Sequence, residues 1–145
     1  TSARDVFAVG SGGVLHYDGS GWSRMPTPPH GGLLGVWGSS GDDVFALGIG
    51  GVILHYDGAG WRRMPAPDRN GDLLAIWGNS PRDVFAVGDR QWWGPGGCCS
   101  DVLHYDGSSW RVLQGMSGQA LFDVWSTTDE AFIVGAGPTI IHGVR

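Results

Sequence analysis

Four histidines recur through the chain: His16, His55, His104 and His142, at intervals of 39, 49 and 38 residues. Imidazole binds transition metals and exchanges protons near neutral pH. A recurring histidine therefore raises two chemistries, a shared metal centre and a general base. The first three each open the same septet, "HYDGSGW" (16–22), "HYDGAGW" (55–61) and "HYDGSSW" (104–110). Carboxylates are the other reactive groups. Glycoside hydrolysis generally needs two of them facing each other, but Glu130 is the single glutamate and every aspartate has a reading as a turn residue. Asp5, Asp43 and Asp83 read as strand-entry turn residues. No Ser-His-Asp arrangement, phosphate loop or dinucleotide fingerprint is legible.

The other candidate is "DRQWWGPGGCCSD", which begins at Asp89 and interrupts the third copy of the pattern. Exposed Trp92 and Trp93 beside Arg90 and Gln91 suit stacking on a sugar ring with hydrogen bonds to its hydroxyls. They equally suit anchoring a protein partner. The competing reading folds both tryptophans back over the edge of their own sheet. Cys98 and Cys99 are adjacent and are the only cysteines. A vicinal disulfide, two free thiols and a bond between chains all fit them. They do not make a zinc site, because no companion pair stands at ligand spacing. "DRNGD" (68–72) lacks most ligands of a calcium loop and reads as a turn. No metal and no cofactor is expected.

Composition narrows the classes further. The chain of 145 residues holds 27 glycines and 8 tryptophans, no lysine, and a formal charge of −5. One unit fits that length. An acidic chain without a basic cluster offers nucleic acid little attraction. No apolar run is long enough to span a bilayer, so no membrane insertion is expected. The opening "TSARDVFAVG" carries no signal peptide and falls inside the pattern, so a native beginning is expected to lie outside it.

What must position these residues is a repeat. "DVFAVG" (5–10) returns as "DVFALG" (43–48), "DVFAVG" (83–88) and "EAFIVG" (130–135); "GVWGSS" (35–40) returns as "AIWGNS" (75–80) and "DVWSTT" (123–128). Each period holds four short apolar runs separated by Gly, Asp and Pro turns, with no helical spacing. The expectation is all-β: a β-propeller of four-stranded antiparallel blades, about 3.5 repeats long. The runs are nearly continuously apolar, as in sheets covered on both faces. In this frame Asp-Gly closes the hairpin between third and fourth strands. Trp22, Trp61 and Trp110 open the fourth strand and wedge between blades, and Trp37, Trp77 and Trp125 recur on the first. The histidines sit on third strands, roughly 10 Å from the axis-lining first strand at the usual strand spacing. They therefore diverge from blade to blade, and a repeated inter-blade hydrogen bond is the expected role.

"DVFAVGSGGVLHYDGSGWSRMPTP" resembles the kelch-type repeat. It is more similar still to a bacterial propeller repeat of secreted and surface proteins, written VWGSS-DVFAVG-ILHYDG-W, and the resemblance runs the whole length. It implies a fold and a secreted or cell-surface setting, and leaves activity open. One propeller segment, 1–145, divides into a partial blade (1–32, strands two to four), a full blade (33–72), a full blade with an insertion at 89–99 (73–119) and a partial blade (120–145, strands one to three). Such a ring is incomplete. Three explanations follow in order: a piece of a larger propeller, association with other copies, and closure as a small ring. For two copies the strand phases at the joins do not match.

The expected function is a non-enzymatic binding module that recognises glycan or protein through its loop-rich face. The alternative is a structural module that self-assembles into a homo-oligomeric propeller or filament. A propeller hydrolase ranks last.

Overall fold

The computed structural model describes residues 4–67, 71–90, 99–117 and 119–144. Fourteen strands among the described residues form four antiparallel sheets, each a simple meander. Sheet 1 holds β1 (Val6–Gly10), β2 (Gly13–Tyr17) and β3 (Trp22–Met25). Sheet 2 holds β4 (Leu33–Ser40), β5 (Asp43–Gly48), β6 (Ile53–Tyr56) and β7 (Trp61–Arg63). In sheet 3 are β8 (Asp72–Ser80), β9 (Asp83–Arg90), β10 (Cys99–Tyr105) and β11 (Trp110–Ser117). Sheet 4 comprises β12 (Leu121–Ser126), β13 (Glu130–Gly135) and β14 (Ile140–Val144). A 3-10 turn, Ile49–Gly51, lies in the link between β5 and β6.

Valine, phenylalanine and leucine stand side by side in these strands, and the pleat sends them to opposite faces. In sheet 2, Val44, Ala46, Leu54 and Trp61 share one core with Phe7, Val9, Val14 and Met25 of sheet 1. The alternate residues Phe45, Leu47 and Ile53 join Val84, Ala86, Leu103 and Trp110 of sheet 3 in a second core. Phe85, Val87 and Val102 of sheet 3 pack with Leu121, Val124 and Ile133 of sheet 4 in a third. Sheets 2 and 3 thus have a leading face turned to the sheet before and a trailing face turned to the sheet after, while sheet 1 packs by its trailing face and sheet 4 by its leading face. Burial on both faces holds for sheets 2 and 3 only.

The septet builds these interfaces. Its Asp-Gly step needs a left-handed glycine, with φ of 94°, 85° and 93° at Gly19, Gly58 and Gly107. The Asp18 side chain accepts the backbone N–H groups of Ser20 and Gly21, which tightens the turn. The following tryptophan then reaches across. Trp61 meets Phe7 edge-on at 6.4 Å, and Trp110 meets Phe45 at 6.1 Å. Trp22 occupies the same place on sheet 1 but wedges against no sheet; it is 53 % exposed, against 7 % for Trp61 and 6 % for Trp110.

Asp72 is the first residue of the first strand of sheet 3, where it pairs with Asp89. Asp89, Arg90 and Cys99 are strand residues, so the ladder continues into what reads as an insertion.

Candidate functional site

Each of the four histidines meets a carboxylate of its own sheet. His16 Nε2 lies 2.7 Å from Asp5 Oδ1, His55 Nε2 2.7 Å from Asp43 Oδ1, and His104 Nε2 2.8 Å from Asp83 Oδ1. In sheet 4 the acid is Glu130, 3.3 Å from His142 and more exposed. The expected bond between sheets is therefore a bond between neighbouring strands. The reason is register: Phe7 stands opposite His16 and Phe45 opposite His55, so the acid just before each Val-Phe step reaches the imidazole. The same aspartates read in sequence as turn residues. The signal for their pairing was present, since an acid precedes each of these strands. The imidazole rings also stack on the facing phenylalanines, with centroids 4.5 Å apart in sheet 1 and 4.4 Å in sheets 2 and 4.

These pairs are not arranged for nucleophilic catalysis. Ser39 Oγ donates to Asp43 Oδ2, and Asp43 Oδ1 meets His55. Asn79 takes the serine's place in sheet 3, donating to Asp83 Oδ2 at 2.8 Å. An activated serine needs the imidazole between hydroxyl and carboxylate. Here the carboxylate is in the middle, where it braces two strands and the imidazole does not reach the hydroxyl. Among the described residues no group of three or more His, Cys, Asp or Glu side chains could hold a metal ion. Nor is any helix among them long and apolar enough to cross a membrane.

The links between second and third strands share one end of the molecule with the links between sheets. Ile49 N–H donates to Gly32 O at 3.0 Å, and Gly50 N–H to Asp72 Oδ1 at 2.9 Å. In sheet 4, Ala136 N–H donates to Ala120 O at 2.8 Å. A groove of about 420 Å³ opens at this end, lined by Gly50, Gly51, Arg63 and Met64–Pro67. The β9–β10 hairpin belongs to the same class of link, and it carries the candidate loop.

At the root of that loop Arg90 pairs with Cys99, and Asp89 with Ser100. Gln91, Trp92, Trp93 and Cys98 lie outside the described residues, and with them the stacking pair and the vicinal disulfide. One feature of the root escaped the sequence. Ser100 is fully buried, and among the described residues neither its Oγ nor Asp89 Oδ1 has a hydrogen-bond partner, although both atoms are out of solvent. Asp101, one residue on, is also buried. Single polar residues in a strand give no periodic signal, which is why the pair was not legible.

Trp37, Trp77 and Trp125 stand on the first strands, as the repeat requires. Trp37 lies against Gly78 of the next sheet, where a Cβ would come within 2.6 Å of its ring. Trp77 Nε1 donates to Ser126 O at 2.9 Å. Trp125 has no following sheet and is exposed. The chain matches no known protein-family model, and no curated protein matches it.

Proposed function

We propose that the four sheets are blades of a kelch-like β-propeller segment, and that the chain is a non-enzymatic binding module. In this reading it recognises glycan or protein at its loop-rich end, through the β9–β10 hairpin and the Arg90–Trp93 stretch that follows. A secreted or cell-surface setting accompanies the family resemblance. The observation that carries the assignment is the Asp89–Ser100 pair. A buried polar atom without a partner forfeits its hydration, and native proteins rarely leave one so. Two such atoms on facing positions of the β9–β10 ladder favour a ligand or bound water rich in hydrogen-bonding groups. The order of Ser39, Asp43 and His55 supports the non-enzymatic part of the reading, since it gives no activated nucleophile.

Three variants, Ser100→Ala, Asp89→Asn and Trp92→Ala/Trp93→Ala, screened on a glycan array and by pull-down against surface proteins, test the site. The expected outcome is retained folding, by circular dichroism, with binding lost in the tryptophan variant and weakened at least several-fold in the other two. A wild-type ligand whose binding none of the three changes would remove the loop from the site.

A further inference from the structure

The septet tryptophans of sheets 2 and 3 meet the preceding sheet with the same parts but close the junction differently. Trp61 Nε1 donates to Met25 Sδ at 3.4 Å. Met64 holds the place of Met25 in the next unit. Its N–H donates to Ile53 O at 2.9 Å, just as Met25 stands opposite Val14. Trp110 is only 6 % exposed, yet among the described residues its Nε1 has no hydrogen-bond partner, although the atom is out of solvent. Met64 and Trp110 instead border a cavity of about 270 Å³, whose other walls are residues 65–67, Ser108 and Ser109. It lies between two sheets of this chain, and both of its sides are formed by described residues.

We infer that this cavity is a binding site for a prolyl residue of a peptide chain, whose X-Pro carbonyl accepts the Trp110 indole N–H. The walls select the ligand class. Their side chains carry neither carboxylate nor cation, so a charged group would lose its hydration there without a counter-ion. The indole already packs on Phe45, with centroids 6.1 Å apart, and on Tyr105 at 5.3 Å. So deeply buried, it presents no free face for a sugar to stack on, and each hydroxyl of a sugar would need its own partner. An X-Pro amide is the opposite case. It has a carbonyl acceptor and no N–H, so one donor satisfies it, and its ring packs as an apolar group on Met64, Pro65 and Pro67. Aromatic-lined grooves take proline-rich segments on the same grounds, because their extended conformation is preformed. The volume falls just below the range that holds drug-sized ligands, which suits one ring-sized group. To reach the N–H the wall must give, and Met64 is the side chain suited to it, since methionine is unbranched and adaptable. The site shares no residue with the Asp89–Ser100 root, so each stands or falls separately.

Proton–nitrogen NMR of the tryptophan indoles in the 145-residue chain tests this, with the Trp110 resonance assigned through its contacts to Phe45 and Tyr105. The probes are a blocked hexaproline peptide, a blocked Gly-Ser hexapeptide and maltohexaose. Hexaproline should move the Trp110 N–H resonance downfield and to saturation. The Gly-Ser peptide should need at least several-fold higher concentration, and maltohexaose should leave the resonance in place. Ala66→Leu fills the cavity without touching the indole, and Trp110→Phe keeps an aromatic ring but deletes the donor. Whichever of the two folds as wild type by circular dichroism should bind hexaproline at least several-fold more weakly, read for both from the Met64 methyl resonance. A Trp110 resonance that hexaproline does not move overturns the inference. An equal response to the Gly-Ser peptide or to maltohexaose overturns the prolyl assignment, and undiminished binding by a folded variant overturns the cavity as its place.

Discussion

Trp61 of sheet 2 stands edge-on to Phe7 of sheet 1, at 75° between ring planes, and its indole N–H points to Met25 Sδ of that same sheet at 3.4 Å. The septet's last residue therefore belongs, energetically, to the neighbouring sheet. Its first residue belongs to its own, since His55 pairs with Asp43 and stacks on Phe45. The repeat is a joint with one half in each direction, and the first prediction follows from that polarity.

Trp61→Ala and Trp110→Ala each truncate a buried aromatic and should cost about 3 kcal/mol or more. Trp22→Ala, on the open face, should lie within about 0.5 kcal/mol of wild type in dilute solution. Urea denaturation at low protein concentration, where association does not contribute, measures all three. Equal losses at the three positions would mean that the identical septets have identical surroundings.

The histidine–carboxylate pairs should differ in the same graded way. A double-mutant cycle on Asp83 and His104, using Asn and Ala, is expected to give a coupling of about 1 kcal/mol, as for a half-buried hydrogen bond to a charged group. The Glu130–His142 pair is longer and about half exposed on both sides, so its coupling should fall below about 0.5 kcal/mol.

Gly78 is where the Trp37 ring crosses to the next sheet, and a methyl group there has no space without moving the indole. Gly78→Ala should destabilise by about 1–3 kcal/mol and shift the tryptophan emission. In a Trp37→Ala background the same change should cost markedly less. A cost independent of Trp37 would assign the glycine to backbone conformation instead.

Asp18 accepts hydrogen bonds from the Ser20 hydroxyl and from the Ser20 and Gly21 amides, and these hold its carboxyl down from 3.8 to about 2. Because the folded value is depressed, its contribution to stability is complete above the unfolded value and fades as pH falls through the folded one. Carbon-detected NMR should find the Asp18 midpoint near the folded value, and Ser20→Ala should raise it, since the hydroxyl is the largest cause. Asp57 is depressed as well, chiefly by the amides of Ala59 and Gly60. Its neighbour at the serine position is Ala59, so a change there that leaves the backbone in place should leave that depression intact.

The strands were legible in the sequence because they depend on near neighbours. "DVFALG" and "VILHYDGAGW" are β-branched and aromatic runs broken by turn residues; the first forms β5, and the second forms β6 and opens β7, with Asp57-Gly58 at the hairpin between them. The open faces of sheets 1 and 4 could be anticipated only in outline, since Trp22 and Trp61 lie in all but identical septets. The site was legible as an interruption of the pattern, at 89–99. Its root was not, because Asp89 and Ser100 are each ordinary alone and become notable only when the ladder sets them opposite each other, out of water.

By itself, then, the order of residues determined the all-β character, the period and the hairpin turns, through alternation and local backbone preference. Tertiary structure decided which partner each repeated side chain has. Histidine turns to the acid of the adjacent strand, and Trp61 and Trp110 turn to the phenylalanine of the preceding sheet, while Trp22 meets Tyr17 of its own sheet and Ile140 is exposed. The physical reason is that burial and hydrogen bonding depend on what lies across a gap between sheets, and identical repeats in sequence face different neighbours at the ends of a stack than within it.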